Sequence, residues 1–378
     1  MHIIHSGHLN VHSGGPALST WLTIKGLREK GVDTDIVMPP IDPGDQLIDK
    51  AAKPIYYRQP KYGTLAYVPK YDETVKSIGD ADLYHVQGVW MLHGTQLARY
   101  AMKHRKPYVV TLRGMFYPQA LAHKRLLKMI MRRLYQDHTL CNAAAVQATC
   151  IEEMEHYRAL GFKNPVAVIP NPIETEGLID RPIPEKPQFR IGYLGRVHPR
   201  KRIERLIYAM ADLREKLPDD AELLIIGGGD NSYEKFLHDE VCRLNLSNVK
   251  FAGFLTGKEK DAAIDSLSIL VVPSDYENFG NIVTEALVHG VPVIASTGMP
   301  WQELPKHNCG WWISNDQNSI NQTILSAYML GENKLKTMGE NGRELIRRNY
   351  SVEALGTKMK NLYEWILGIA PKPEFVFI

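Results

Sequence analysis

The feature that most constrains the fold is an alternation of short apolar segments with longer helical segments, which stops at one proline-rich stretch and then begins again. The first series predicts a strand at Met1–Ile4, a helix over Ala17–Lys30 and a strand at Asp35–Met38. Short apolar strands that alternate with helices are typical of parallel sheets covered by helices on both faces. The chain is therefore predicted to be an α/β protein.

The proline-rich stretch at 180–188 contains three prolines and four charged residues in nine positions, which is the composition of a linker. A second strand–helix series begins at Phe189–Leu194. We expect two Rossmann-like, doubly wound parallel sheets that face a cleft, with ligands bound at the carboxyl ends of the strands. The predicted parts are a first domain at 1–180, a linker at 181–188, a second domain at 189–350 and a C-terminal crossover helix and tail at 351–378.

Composition excludes several classes of protein. The chain has 378 residues, a length typical of two or three domains, and its 44% hydrophobic and 23% charged residues are as expected for a globular protein. Its four cysteines are too few and too scattered for a disulfide framework, which indicates the cytoplasm, and they form no C-x-x-C pair on which a zinc site could be built. No apolar run approaches the ~18 residues of a membrane-spanning helix, and Met1–Ser6 does not resemble the start of a signal peptide.

Charge is distributed unevenly. The net charge is +3, but residues 1–187 carry 23 Lys and Arg against 18 Asp and Glu, whereas the remainder carries 22 against 24. An excess confined to the first half suggests an anionic partner there. The excess is too small for a typical nucleic-acid-binding protein, so no nucleic-acid partner is expected.

The most informative segment is Val271–Ser296, in which a strand, a loop, a helix and another strand follow one another. Glu277 lies in the loop and Glu285 in the second turn of the helix, with seven residues between them. A helix that starts near Gly280 directs unpaired N–H groups toward an anion, and two carboxylates beside it suit the hydroxyl groups of a sugar. The alternative is that both glutamates are solvated residues at a helix start.

A second segment, Ile191–Arg205, places two cations after a strand. Arg196 follows the strand directly, and Lys201 comes five residues later. A guanidinium and an ammonium together match a diphosphate, although a basic surface loop would have the same composition. Arg200 and Arg202 are interpreted as surface residues.

The loop after the first strand contains Gly14 and Gly15, which allow close approach of the backbone to a ligand but also occur in ordinary tight turns. The chain contains neither a G-x-G-x-x-G fingerprint nor a Walker A motif, which argues against an NAD-dependent oxidoreductase. No D-x-D sequence is placed as a metal clamp. We therefore expect neither a metal nor a cofactor.

Together these segments resemble the retaining glycosyltransferases of family 4, which have the GT-B fold. The resemblance implies a nucleotide-sugar co-substrate held mainly by the second domain. It implies that Arg196 and Lys201 bind the diphosphate, Glu285 the ribose and Glu277 the transferred sugar. The resemblance further implies that residues near Phe254 and Leu255 line the pocket for the base. It implies that backbone groups of Phe279, Gly280 and Asn281 support the sugar and the phosphate. Gly15, which follows Gly14, would close over the phosphates.

One position departs from many family members, which carry a histidine at the end of the strand Tyr108–Leu112. This chain has Arg113 there. A guanidinium does not deprotonate, so a role in proton transfer is excluded. Arg113 is expected either to contact a phosphate or an acceptor anion, or to be structural.

Residues 121–135 read as one basic amphipathic helix without a single acidic residue. An apolar stripe of five residues lies on one face, and the charged residues lie on the other. The segment predicts docking on an anionic membrane surface, where a lipid-linked acceptor would be met. The alternative buries the stripe against the first domain. The stripe comprises Leu126, Leu127, Ile130, Met131 and Leu134.

The resemblance therefore implies a metal-independent hexosyl- or N-acetylhexosaminyltransferase, in the cytoplasm or peripheral on the inner face of the membrane. Family precedent favours a UDP-sugar as the donor, with a GDP-sugar as the alternative. The expected acceptor is a glycan or its lipid-linked precursor, as in capsule or lipopolysaccharide synthesis. Three alternatives stay open: a sugar-nucleotide epimerase, a phosphorylase, and a catalytically silent scaffold subunit of the same fold.

Overall fold

The computed structural model describes residues 1–61 and 63–378, which divide into two compact units. Unit 1 comprises Met1–Glu174 and Ser351–Ile378, and unit 2 comprises Thr175–Tyr350. Residues 181–189 contain no helix or strand. The prediction of two parallel-sheet α/β domains is confirmed.

Among its described residues, unit 1 contains seven strands and seven helices before the chain enters unit 2. Short 3-10 turns occur at Val11–Ser13, Lys50–Ala52 and Gly63–Leu65, and a π-helical turn occurs at Arg132–Gln136. The elements are β1 His2–Ser6, α1 Gly15–Glu29, β2 Asp33–Met38, β3 Ile55–Tyr56, α2 Tyr71–Ile78, β4 Leu83–Gln87, α3 Leu92–Lys103, β5 Tyr108–Thr111, α4 Pro118–Ala122, α5 Arg125–Met131, α6 Asp137–Cys141, β6 Ala145–Ala148, α7 Ile151–Ala159 and β7 Val166–Val168.

Unit 2 repeats the alternation with six strands and seven helices. A 3-10 turn at Pro199–Lys201 follows its first strand. The elements are β8 Arg190–Leu194, α8 Glu204–Asp212, β9 Glu222–Ile226, α9 Asn231–Arg243, β10 Val249–Gly253, α10 Gly257–Asp265, β11 Ile269–Val272, α11 Asn281–Val288, β12 Val293–Ser296, α12 Glu303–Lys306, β13 Gly310–Ile313, α13 Gln317–Leu330 and α14 Glu332–Asn349.

The chain then returns to unit 1 through α15 Val352–Ile366 and β14 Val376–Phe377. Helix α15 packs closely on α1, where a Cβ atom built on Gly26 would lie 2.5 Å from the carbonyl oxygen of Val352. A Cβ built on Gly356 would lie 2.6 Å from the carbonyl group of Gly26. Two glycines therefore permit this helix contact, and the predicted return of the C-terminal helix to the first domain is confirmed.

The two sheets share one topology. Unit 2 has the strand order β10-β9-β8-β11-β12-β13, and unit 1 has the order β3-β2-β1-β4-β5-β6-β7 with β14 added at the far edge. All pairs in both sheets are parallel except β14 with β7. Counted within each unit, the first six strands of both sheets have the doubly wound order 3-2-1-4-5-6, whose ligand-binding crevice lies where the order reverses. We call these places the switch points, between β8 and β11 in unit 2 and between β1 and β4 in unit 1.

The prediction of one continuous helix over 121–135 is wrong. Helix α4 ends at Ala122, and α5 begins only after Lys124, whose φ of +53° lies in the left-handed region and cannot continue a helix. The π-helical turn then inserts an extra residue before α6. None of the helices within residues 1–61 and 63–378 combines the length and the apolar character needed to cross a bilayer.

Candidate functional site

The loop after β8 is held by backbone contacts to the loop after β9. Gly195 has a φ of +133° and donates its N–H to the carbonyl of Ile226 at 2.9 Å, and the N–H of Val197 donates to Gly228 at 3.1 Å. A Cβ atom on Gly227 would lie 1.9 Å from the carbonyl oxygen of Gly195. Glycine is thus required where these two loops meet, and this contact fixes the direction in which the residues after Gly195 leave the sheet.

Arg196 and Lys201, the two predicted diphosphate ligands, have opposite environments. Arg196 is exposed, whereas Lys201 is buried at the end of the 3-10 turn and forms an ion pair with the carboxylate of Glu277. The side chains of this pair are only 9% and 11% exposed. Burial, followed by the charges of Arg200 and Arg196, lowers the pKa of Lys201 to about 7. The contact with Glu277 opposes that shift, because a neighbouring carboxylate favours the charged ammonium.

Two arginines that the sequence analysis interpreted as surface residues connect the loops after β8 and β11. Arg202 forms an ion pair with Asp275 at 2.7 Å, and the N–H of Asp275 donates to the carbonyl of Arg200 at 2.9 Å. The guanidinium carbon of Arg200 lies 5.1 Å from the ring centre of Tyr276. These contacts position the backbone on both sides of the pair formed by Lys201 and Glu277.

The other side of the loop after β11 rests on aromatic side chains. The ring of Phe279 packs on the rings of Trp301 and Tyr350, whose centres lie 5.3 and 5.9 Å from its own. The backbone carbonyl oxygen of Phe279 accepts a hydrogen bond from Trp301 Nε1 at 2.6 Å. Gly280 has a φ of +81°, and a Cβ atom there would lie 2.4 Å from Met299 Cε. Phe279 and Gly280 therefore set the shape of the loop, and the Phe279 carbonyl already has a partner.

Glu285 lies in the second turn of α11, which begins at Asn281, as the sequence predicts. Its Oε2 atom lies 2.5 Å from the Nζ atom of Lys260 on α10, and the glutamate side chain is 16% exposed. The sequence analysis did not identify Lys260, because no motif includes it and it precedes Glu285 by 25 positions.

The predicted base-pocket residues follow β10. Phe254 is 78% exposed and Leu255 is partly buried. The N–H of Gly227 donates to the carbonyl of Gly253 at 2.8 Å, so the loops after β9 and β10 are also connected. Strands β10, β9, β8 and β11 are neighbours in the sheet. Unit 2 thus places Phe254, Arg196, Lys201, Glu277 and Glu285 after β10, β8 and β11, three strands within a run of four adjacent parallel strands.

In unit 1, Gly14 precedes α1 with a φ of +62°, and Gly15 is the first residue of that helix. No described atom outside the neighbouring residues lies within 4 Å of a Cβ atom built on Gly14. Its backbone conformation, and not crowding, is what favours glycine at this position.

Arg113, which replaces the family histidine, is tied into unit 1 by hydrogen bonds. Its guanidinium donates to the hydroxyl groups of Ser19 and Thr20 on α1 and to Gln87 Oε1, the last two at 2.7 Å. Burial lowers its pKa to about 10, and the carboxylate of Glu153 opposes that shift. These partners favour the structural interpretation of Arg113 over contact with a phosphate.

The switch point of unit 1 contains His5 and His85, whose proximity the sequence analysis did not identify. His85 bonds Tyr363 at 2.6 Å and Thr111 at 2.7 Å, and its ring centre lies 5.1 Å from that of His5. Both rings are fully buried, and burial lowers the pKa of His5 to about 3 and that of His85 well below the usual value. These histidines are therefore uncharged at neutral pH.

Helix α5 and the following π-helical turn present an unusual surface. Among the five apolar residues of the predicted stripe only Met131 is buried, while the other four are exposed, Leu126 and Leu134 at 71%. Lys124, Arg125 and Arg133 are exposed beside them. We call this surface, formed by Lys124–Leu134, the basic-apolar surface.

Two family profiles match the chain. The profile described as "Glycosyl transferase 4-like domain" matches residues 14–172, and the one described as "Glycosyl transferases group 1" matches residues 178–345. The profiles meet close to the division between units 1 and 2.

Individual relatives support the same family. An uncharacterized glycosyltransferase of Methanocaldococcus jannaschii is 35% identical over 123 residues, which are 32% of this chain and 30% of the relative. A second uncharacterized glycosyltransferase of the same organism is 27% identical over 68% of each chain. A GDP-mannose-dependent alpha-mannosyltransferase of Mycolicibacterium smegmatis is 36% identical over 28% of this chain and 24% of its own. The chain thus spans about a third or less of two of these relatives.

Among solved structures, HepE of Anabaena in complex with UDP and glucose superposes with a TM-score of 0.72. The identity is 18%, and the match covers 95% of this chain and 98% of HepE. At 18% identity, this structural similarity is evidence that the two chains share a fold. Its first domain matches the glycosyl transferase 4-like profile, and its second domain matches the profile of glycosyl transferases group 1. The chain therefore belongs to the glycosyltransferases and has the GT-B fold.

Proposed function

We propose that this protein is a retaining glycosyltransferase that moves a hexosyl or N-acetylhexosaminyl group from a nucleotide-sugar to a hydroxyl group of a glycan or lipid-linked glycan. The observation that carries the proposal is the pair formed by Lys201 and Glu277 beside the exposed Arg196, at the switch point of unit 2. A parallel α/β sheet binds its ligand at this place. Cations for a diphosphate and a carboxylate for sugar hydroxyls lie next to each other there.

In the proposed reaction, Arg196 and Lys201 stabilise the negative charge that grows on the departing diphosphate, so no metal ion is required for that task. Glu277 accepts hydrogen bonds from hydroxyl groups of the transferred sugar, and Glu285 accepts them from the ribose. The acceptor hydroxyl attacks from the face that the diphosphate leaves and gives its proton to the departing phosphate. This front-face path suits a site in which we assign no general base.

A UDP-sugar is the first candidate donor, and the family precedent together with the UDP complex of HepE supports it. The GDP-mannose-dependent relative makes GDP-mannose the second candidate. A thermal-shift screen against UDP-, GDP- and ADP-sugars separates them, because only the bound class raises the melting temperature. The rise should disappear in Glu285→Ala and persist in the matched surface variant Glu259→Ala. A wild-type protein that responds to none of the three classes would contradict the proposal.

Retention is tested on the product. With an α-linked donor, NMR of the purified product should show an α linkage. A β linkage would exclude the front-face path while leaving transfer itself intact. Absence of both transfer to a glycan and hydrolysis of the donor would favour the silent-scaffold alternative.

The basic-apolar surface supports one further element of the proposal, peripheral contact with an anionic bilayer. Its exposed leucines and isoleucine can enter the headgroup region, and each nearby Lys or Arg contributes about 1 kcal/mol near an anionic leaflet. No acidic residue occurs between positions 118 and 136. Contact at this surface would bring the enzyme to a lipid-linked acceptor.

Flotation with liposomes tests this contact. Wild-type protein should float with phosphatidylglycerol vesicles at low salt, and much less at high salt or with phosphatidylcholine. Changing Lys124, Arg125 and Arg133 to Gln should abolish flotation but spare activity on a soluble acceptor analogue. The matched control changes Lys53, Arg105 and Lys163, which are exposed elsewhere in unit 1, and should float as the wild type does. If both triple variants lose flotation to the same extent, the basic-apolar surface is not the membrane-binding surface.

A further inference from the structure

Lys260 and Glu285 form the second lysine–glutamate pair of unit 2. The Nζ and Oε2 atoms are 2.5 Å apart, and the two side chains are 30% and 16% exposed. Lys260 lies in the first turn of α10, which follows β10, and Glu285 lies on α11, which follows β11. The pair therefore lies near the carboxyl ends of the strands, on helices that follow two of them.

The Oε2 atom of Glu285 is buried, and within the described residues its contact with Lys260 lacks the geometry of a hydrogen bond. A buried carboxylate oxygen without a hydrogen bond is costly, because it has given up its contact with water. The ion pair offsets part of that cost. Since Oε2 is buried, the 16% of the Glu285 side chain that stays exposed lies on its other atoms, and a ligand hydroxyl group approaches the carboxylate from that side.

A vicinal diol, such as that of a ribose, offers both kinds of hydrogen-bonding group. Each hydroxyl has one hydrogen to donate and lone pairs that accept. A carboxylate can only accept and an ammonium can only donate, so a carboxylate by itself satisfies only half of the diol. An adjacent ammonium supplies the missing donor to a hydroxyl oxygen.

We propose that Lys260 is a specificity-determining residue of the donor site that, together with Glu285, recognises the ribose diol and discriminates ribonucleotides from 2′-deoxyribonucleotides. This inference rests on the proposed function and deepens it. Glu285 accepts a hydrogen bond from one hydroxyl group, and Lys260 donates to the oxygen of the 2′-hydroxyl. A deoxyribose leaves the ammonium of Lys260 without that acceptor.

The test is calorimetric titration with UDP and 2′-deoxy-UDP, and in parallel with GDP and 2′-deoxy-GDP. Wild-type protein should bind the ribonucleotide at least about tenfold more tightly, since a hydrogen bond to a charged group is worth about 1.5–3 kcal/mol. Lys260→Met should weaken ribonucleotide binding and bring the ratio close to one. Lys260→Arg should keep most of the discrimination. Lys258→Met, an exposed lysine on the same helix, is the matched control and should behave as the wild type does.

The outcomes separate the inference from the proposed function. If Lys260→Met weakens both nucleotides by the same factor, Lys260 only positions Glu285 and the inference is wrong, while donor binding stands. The inference is also wrong if Lys260→Met changes neither the affinity for the ribonucleotide nor the ratio of ribonucleotide to deoxyribonucleotide affinity. If the wild-type protein binds neither pair of nucleotides, the proposed function fails and the inference fails with it. Thermal melting of each variant shows whether unit 2 has kept its fold.

Discussion

The two switch points of this protein have the same topology and opposite chemistry. In unit 2, the reversal between β8 and β11 lies beside an ion pair and an exposed arginine. In unit 1, the reversal between β1 and β4 contains the buried, uncharged rings of His5 and His85. Strand order therefore determines where the reversal lies, whereas the charge found there depends on the side chains that each unit places beside it.

The difference also appears in how each unit uses its basic residues. Lys201 has its charge balanced by the carboxylate of Glu277, and each of the two side chains stays about a tenth exposed. Arg113 instead directs its guanidinium at three neutral oxygen atoms of its own unit. Changes in unit 2 are thus expected to affect donor chemistry, and changes in unit 1 to affect stability.

The largest effect is expected for Lys201→Met, because it removes a donor that acts on charge developing in the transition state. We expect kcat to fall by roughly 10²–10³-fold. Lys235→Met on the exposed side of α9 is the matched control and should keep full activity. The double variant Lys201→Met, Glu277→Gln should melt at a higher temperature than the single variant, because it leaves no unpaired buried carboxylate. A single variant with kcat within twofold of the wild type would contradict the role of Lys201.

Arg113→Met should lower the free energy of unfolding by about 1.5–3 kcal/mol, since hydrogen bonds to a charged group are lost. Urea denaturation measures this change. The dissociation constant of the donor should not change, because the partners of Arg113 all lie in unit 1. Weaker donor binding with unchanged stability would reverse the assignment and make Arg113 a phosphate ligand.

Glu285→Ala should weaken donor binding by roughly ten- to hundredfold, because hydroxyl groups of the ribose lose a charged acceptor. Calorimetry gives the dissociation constant directly. Glu259→Ala on the exposed side of α10 serves as control. An unchanged affinity in Glu285→Ala would assign the ribose to another residue.

The smallest effect, within one pH unit of neutrality, is expected from titration of Lys201. The pKa of Lys201 is about 7 in the folded protein and higher in the unfolded chain. Above pH 7 the free enzyme loses the ammonium, so kcat/KM for the donor should fall about tenfold per pH unit. Between the two pKa values the unfolded chain holds one more proton, so this group makes stability rise with pH across that window. Lys201→Arg, which keeps its charge, should flatten the decline in kcat/KM.

Much of the fold and part of the site follow from local patterns. Apolar runs such as Ile269–Val272 are strands, and the helix with Glu285 begins at Asn281 beside Gly280, because these elements depend on nearby residues. Arg196 and Glu277 could be assigned to one edge, since residues that follow neighbouring parallel strands meet there.

Only the tertiary structure decided the remaining features. The contact between Lys260 and Glu285 depends on how α10 and α11 pack, which neither segment encodes alone. Periodicity showed that the stripe at 121–135 is apolar, but whether neighbours cover it depends on the break at Lys124 and on what packs around α5. The environment of Arg113 is likewise set by α1 and by Gln87, far away in the chain. The sequence by itself determined the elements and the chemistry they carry, whereas burial and pairing depended on contacts between residues distant in the chain.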